Sequence, residues 1–383
     1  MSALHKIREV TQAWFQRNMK GDPWLWGIAL FLLGIGVVVV YSASAKQAYS
    51  TVTGDTEVIL FKQIKLAIAS FVIMYLVHLI PYTKFVFFSR MGVWLAVILL
   101  LFTFFKGETI NEADRWVEIP IINQKFQPSE IAKITLIAHL ALILALRFKK
   151  DWGDKRLLVE PMLMIGLVCA LIYRSNISTA ALLGATCFMM LYVGKVPKRY
   201  LTITMVTFLI ASGLLVVLKI GQRGTTAQSR FDTYFNPDTI AAQSANAYKA
   251  MARGGILGEG VANSQEKHFL PNGDSDFIFA IIVEEYGTVG ALVVIVAFLL
   301  LLYRGLKAIS KPKRPYGGLL SAGLTFSIVF QAFATMAVTV GLFPTTGQTL
   351  PFISNGGTSM LLTGAAMGII LSVSRGELEE KDI

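Results

Sequence analysis

Three stretches of this sequence carry polar groups in a pattern that a mere connector would not need. In the first, Ala113-Asp114-Arg115-Trp116 is followed by Phe126-Gln127-Pro128-Ser129-Glu130-Ile131-Ala132-Lys133. Pro128 suits the first turn of a helix, which would place Glu130 and Lys133 on one face, three residues apart. Such a pair can be a structural ion pair tying one helix to its neighbours. It can also mark a substrate path, since ionisable groups within a membrane are costly without a use. The second stretch, Leu270 to Phe279, contains Asp274 and Asp276. Asp276 can cap the helix that follows by accepting from free backbone N–H groups, or it can serve as a base. Asp274 is an alternative for either role. The third, Pro344 to Ser359, mixes prolines, glycines and hydroxyls. Ser354, Gly356 and Gly357 lie in it, and the Gly-Gly pair allows either close backbone approach to a ligand or a tight turn. Arg174, Arg223 and Arg230 add cations whose forked geometry suits phosphate or diphosphate oxygens. His5, His78, His139 and His268 show no ligand spacing, which argues against a histidine-built metal site.

The elements that must hold these groups are membrane helices. The chain has 383 residues, 54% hydrophobic and only 15% charged, with a mean hydropathy of +0.60. Leu25–Ser42, Leu201–Leu218 and Gly317–Leu342 contain no charge at all, and runs of about 18 or more such residues span a bilayer core. The net charge of +11 could suggest nucleic acid, but the basic residues cluster in short loops between apolar blocks. No nucleic-acid partner is expected. Cys169 and Cys187 both lie within apolar blocks, so no disulfide framework is implied. Met1–Gly21 is polar and of mixed charge, unlike a cleaved signal.

Ten spans are expected: Trp24–Ala43, Lys62–Ile80, Gly92–Phe105, Glu130–Leu146, Leu157–Tyr173, Thr179–Gly194, Leu201–Lys219, Phe277–Tyr303, Gly317–Gly341 and Thr358–Val373. The third is short and reads as extending back toward Phe85. Lys and Arg are roughly three times as dense in the tails and in the loops around Lys84, Lys149, Lys195 and Lys311 as in the alternate loops. That bias places both termini, residues 1–23 and 374–383, in the cytoplasm. The chain reads as a single all-α membrane domain, with one large outward loop over 220–276 between spans seven and eight. This loop holds an expected amphipathic helix at Ala241–Ala252. The eighth block, at about 27 residues or about 40 Å, exceeds the roughly 30 Å core. Its outer turns, down to Glu284 and Glu285, are therefore expected in a water-accessible hollow.

Together these stretches resemble the SEDS family of bacterial membrane proteins, typified by FtsW and RodA. The resemblance runs from the first span to the last and rests on FQPSEIAK at 126–133, GGILGEG at 254–260, LPNGDSDFIFAIIVEEYG at 270–287 and FPTTGQTLPFISNGGTS at 343–359. The wording at 263–287 is nearer to division-type members than to elongation-type ones. The resemblance implies polymerisation of lipid II, the undecaprenyl-diphosphate-linked disaccharide peptide, into glycan strands. It implies a class B penicillin-binding protein as partner, alongside other division membrane proteins. It also implies a location in the inner membrane at the septum and a divalent cation, Mg²⁺ or Mn²⁺, for which no ligand set can be read. The family's outer-loop aspartate falls on Asp276, and its fourth-span pair on Glu130 and Lys133. Lys133, Arg115 and Arg230 are then candidate cations for a departing diphosphate, and Gln127, Ser129, Ser354, Gly356 and Gly357 candidate substrate contacts. Trp116 could stack on a sugar or anchor at the interface. The chain departs from the family's usual pattern at Pro271-Asn272, at Asn355 and at Asn176-Ile177-Ser178-Thr179. Competing expectations are a lipid II flippase and a silent scaffold. The flippase should show binding groups near mid-membrane, and the scaffold would not need Asp276, Glu130 and Lys133.

Overall fold

The computed structural model describes residues 19–44, 56–106, 108–110, 113–119, 124–147, 156–217, 233–235, 242–270, 273–310 and 315–376. Seven long helices precede the outward loop: α1 Pro23–Ala43, α2 Thr56–Leu79, α3 Phe85–Lys106, α4 Pro128–Arg147, α5 Arg156–Ser175, α6 Ile177–Val193 and α7 Lys198–Val217. Helix α8 Ala242–Gly254 lies within the loop, and α9 Ile278–Lys307, α10 Pro315–Thr339 and α11 Thr358–Arg375 follow it. The expected spans each fall on one of these helices. Among the described residues, seven helices are long and apolar enough to cross a membrane. The third begins at Phe85, and the amphipathic segment forms one residue later than Ala241.

Local chemistry explains several of the starts. Asp22 accepts from the Trp24 backbone N–H at 2.9 Å ahead of Pro23, and Pro128 opens α4. The Asn176 side chain accepts from Thr179 N at 3.1 Å and caps α6. Asn176, one of the departures noted in the sequence, thus supplies an N-capping oxygen. Gly357 caps α11 with φ 51°, a conformation that favours glycine.

Helix α10 is the central post, with contacts to α4, α6, α8, α9 and α11. The apolar windows of α10 and α4 are 78% and 72% buried within the protein, against 17% for α2. The first two therefore form the interior, and α2 presents most of its surface to lipid. Side chains such as Trp94, Ile98, Leu163 and Leu292 are likewise exposed, as expected where lipid takes the place of a protein neighbour.

Two features differ from the sequence expectation. A three-stranded antiparallel ribbon stands between α3 and α4: β1 Glu108–Ile110, β2 Ala113–Ile119 and β3 Gln124–Phe126, in the order β1-β2-β3. Among the described residues the fold is helical apart from this ribbon, whose short strands carry no long periodic pattern; β2 holds the Asp114-Arg115-Trp116 motif. The eighth block is also not one continuous span. Gly287 inside α9 adopts φ 67°, ψ −169°, so a short first segment, 278–286, precedes the spanning part. Residues 278–285 of that segment are buried throughout, which explains why the block exceeds a bilayer's thickness.

Candidate active site

The break at Gly287 has a partner in the outward loop. Interrupting a helix leaves carbonyls and N–H groups without their usual partners, and in a buried setting each must find another. Here Glu259 N and Gly260 N donate to the carbonyls of Glu284 and Glu285 at 2.9 and 3.0 Å. Thr288 N and Val289 N donate to Gly255 O and Ile256 O at 3.0 and 3.3 Å. The GGILGEG segment is thus stitched into the broken helix. A Cβ on Gly258 would come within 2.2 Å of Glu285 O, and one on Gly287 within 2.2 Å of Ile256 O, so both positions need glycine for space as well as for positive φ. The Glu284 side chain is fully buried and accepts from Gln265 N at 3.0 Å, Glu266 N at 3.2 Å and the Ser264 hydroxyl. Ser42 of α1 donates to Glu285. The expected hollow at these carboxylates is instead packed protein, and Glu284 anchors the loop.

Immediately before α9, the loop 273–277 is latched to the loop 344–359. Asn355 N donates to Asp274 O at 2.9 Å, and the Asn355 amide to Asp274 Oδ2 at 3.0 Å. The Ser354 hydroxyl donates to Ser275 O at 2.7 Å and accepts from Leu350 N at 2.8 Å. Asp274 is therefore held as a brace. Asp276 stands differently. The cap position of α9 is Phe277 and makes no side-chain cap bond, so Asp276 sits one residue before it. The Asp276 side chain is only partly buried. It accepts from the Ser275 hydroxyl at 2.9 Å, and its other oxygen would be 3.6 Å from a Cβ at Gly347.

The fourth-span pair is linked to the same 344–359 loop. Lys133 Nζ is 2.8 Å from Glu130 Oε1, and each side chain is 9% exposed. Lys133 also donates to Gln331 Oε1 of α10 at 2.9 Å, and Gln331 Nε2 donates to Thr349 O at 2.9 Å. The pair does tie α4 to its neighbour, and it also lines a narrow pocket with Gln331, Pro351 and Thr363. The aspartate segment and the buried pair, far apart in sequence, are thus linked to one loop, through Ser354 and Asn355 and through Gln331 respectively. Gln348 extends the network by donating to Thr179 at 2.9 Å.

The other candidates distribute unevenly. Gln127 is half-buried, and its carbonyl accepts from Glu130 N at 3.1 Å. The Ser129 hydroxyl is buried with no hydrogen-bond partner. Gly356 packs 3.4 Å, measured from a built Cβ, from Thr349 Oγ1. Arg115 and Trp116 are adjacent residues of β2, which contacts α4, but their side chains lie outside the described set. Arg223, Arg230 and the Pro271-Asn272 pair lie outside the described residues altogether. Sequence reading passed over Gln331, although a lone amide in an otherwise charge-free span is a signal of the same kind as Lys133.

A family model described as "Cell cycle protein" and covering FtsW, RodA and SpoVE matches residues 23–379. The chain belongs to this family, the SEDS membrane proteins. Its curated relatives include "Probable peptidoglycan glycosyltransferase FtsW" of Bacillus subtilis, 32% identical over 90% of this chain and 88% of that one. A protein of the same name from Alkalilimnicola ehrlichii is 34% identical over 91% and 88%. The fold matches a chain from a structure described as "Structural coordination of polymerization and crosslinking by a peptidoglycan synthase complex", with a TM-score of 0.74, 22% identity and coverage of 93% and 98%. It also matches rod shape determining protein RodA of Thermus thermophilus, with a TM-score of 0.68, 23% identity and coverage of 93% and 97%.

Proposed function

We propose that this protein is a peptidoglycan glycosyltransferase that polymerises lipid II at the outer face of the cytoplasmic membrane during division. The observation that carries the reading is that the segment holding Asp276 and the buried Glu130–Lys133 pair are both bonded to the 344–359 loop, the first through Ser354 and the second through Gln331. A base and a fixed cation linked to one shaped loop suit a transfer in which a proton leaves one group and negative charge builds on another. The names of the curated relatives support the same reading.

In the proposed reaction the 4-hydroxyl of a GlcNAc attacks the anomeric carbon of a MurNAc held as an α-linked undecaprenyl diphosphate. The new bond is β-1,4, so one displacement with inversion suffices and no covalent enzyme intermediate is needed. Asp276 accepts the hydroxyl proton as general base. The sugar–phosphate bond breaks with its electron pair going to the diphosphate. Lys133 stabilises that charge, oriented by Glu130 and Gln331, with Arg115 and Arg230 as further cations. Ser354, Gly356 and Gly357 act by shaping the loop, while Gln127, Ser129 and Trp116 contact the sugar or its carrier.

A divalent cation, Mg²⁺ or Mn²⁺, is proposed to accompany the diphosphate. Among the described residues no group of three or more His, Cys, Asp or Glu is placed to hold one. Glu130 would therefore give one ligand and the substrate's oxygens the rest, the arrangement that Mg²⁺ favours. When bound, it would neutralise charge on the leaving diphosphate.

The reading includes ten spans, both termini in the cytoplasm, a location at the septum and a class B penicillin-binding protein as partner. The test is incubation of the purified protein, with a co-expressed class B partner and Mg²⁺ or Mn²⁺, with lipid II. Glycan strands and released undecaprenyl diphosphate are expected. Movement of lipid II between vesicle leaflets with no polymer would replace this reading with transport.

A further inference from the structure

Helices α3, α4 and α5 enclose a groove that contains no residue of the candidate active site, although it shares α4 with the Glu130–Lys133 pair. Its walls are largely apolar, with Trp94 and Ile98 of α3 among them, and its mouth is charged, with Arg90 of α3, Arg147 of α4 and Glu160 of α5. Arg90 lies in the second turn of α3 and Arg147 ends α4, so the two antiparallel helices bring both arginines to one end of the bundle. The charge bias of the loops assigns that end to the cytoplasm. Lys84 directly precedes α3, and Lys149 and Lys150 follow α4 closely in sequence. Glu160 pairs with Arg147, while Arg90 is exposed to the surroundings.

The second observation is His139. It lines the same groove, is 7% exposed, and both of its ring nitrogens are buried without a hydrogen-bond partner. A buried imidazole with neither nitrogen satisfied is costly unless something else completes it. His139 lies eight residues before Arg147 on α4, about 12 Å deeper at the helical rise. A molecule with an anionic head at the arginines and apolar chains beyond matches the charged mouth and the apolar walls.

We propose that this groove is a binding site for an acidic phospholipid of the cytoplasmic leaflet. Its phosphate sits between Arg90 and Arg147, and an acyl chain lies along Trp94 and Ile98, past the His139 ring. Basic pockets between membrane helices on the cytoplasmic side hold acidic lipids by this combination. Two arginines against one carboxylate leave the mouth positive and favour an anionic over a zwitterionic head. Glu160 competes with the lipid for Arg147, so removing its charge should strengthen binding.

The test is native mass spectrometry of the full-length protein released from nanodiscs holding equal amounts of phosphatidylglycerol and phosphatidylcholine. Such discs are symmetric, so the result is independent of orientation and of glycosyl transfer. The wild type should retain phosphatidylglycerol in preference. Arg90→Gln should lower that retention by about fivefold, and Glu160→Gln should raise it by about as much. The gain expected from Glu160→Gln cannot come from misfolding. Equal retention of the two lipids by the wild type would overturn the proposal, as would Glu160→Gln and Arg90→Gln discs indistinguishable from wild type.

Discussion

Lys133 is a residue at which a structural and a catalytic role can be separated by measurement. Its ammonium is held between Glu130 and Gln331 in a nearly closed setting. Removing one member of a buried pair leaves the other charge uncompensated, at a cost of about 3–5 kcal/mol. Lys133→Met should therefore lower the unfolding temperature in detergent markedly. The double variant Glu130→Leu, Lys133→Met should recover much of that loss, because two apolar groups replace the whole pair. Polymerisation should not recover, and this is the readout that a purely structural pair would not predict. Gln331→Leu should cut polymerisation by about tenfold, since it removes a hydrogen bond to a charged group and frees the Thr349 carbonyl. At this scale the ionisable residues were legible from the sequence because charges in apolar surroundings stand out. Gln331 was less visible because an amide is not, and because its importance comes from what it touches.

The outward loop and α9 behave as one element. Their bond pattern depends on Gly258 and Gly287, both at positive φ and both against backbone carbonyls. Gly287→Ala should cost at least about 1–3 kcal/mol from backbone strain alone, with the carbonyl contact at Ile256 added to it. The loss should appear as a lower unfolding temperature, together with faster proteolysis within 254–270. Sequence length showed that the eighth block was too long for a simple span. It did not show the cause, because the break is stabilised by a loop some thirty residues upstream and no local pattern encodes that pairing. The ribbon β1–β3 escaped notice for a related reason: its strands are three to seven residues long, and their partners rather than their composition define them. Asn176 and Asn355 look like departures in sequence. In the fold they make bonds, to Thr179 and Asp274 respectively.

Across the whole molecule, the order of helices was legible because every long helix carries its own apolar run. Which helices lie inside was not, since α2 and α10 are similarly apolar yet differ greatly in burial. Arrangement depends on packing between distant segments, and the meeting of loops 273–277 and 344–359 is one such case. The proposed orientation can be tested directly because Cys169 and Cys187 are both buried and should give little background labelling. A membrane-impermeant maleimide applied to intact spheroplasts should label Leu257→Cys, a site 81% exposed in the outward loop. It should label Lys198→Cys, at the start of α7, only after lysis. The reverse pattern would invert the molecule and place Asp276 on the wrong side for an outer-leaflet substrate.

The role proposed for Asp276 is to take the proton from the attacking hydroxyl. The most direct measurement is the polymerisation rate of Asp276→Asn beside its affinity for lipid II, in the intact complex with its partner. The asparagine keeps the size of the side chain and removes the base. The account predicts lipid II binding close to that of wild type and a rate lower by about a hundredfold or more. A variant that binds lipid II and polymerises it at the wild-type rate would contradict the account.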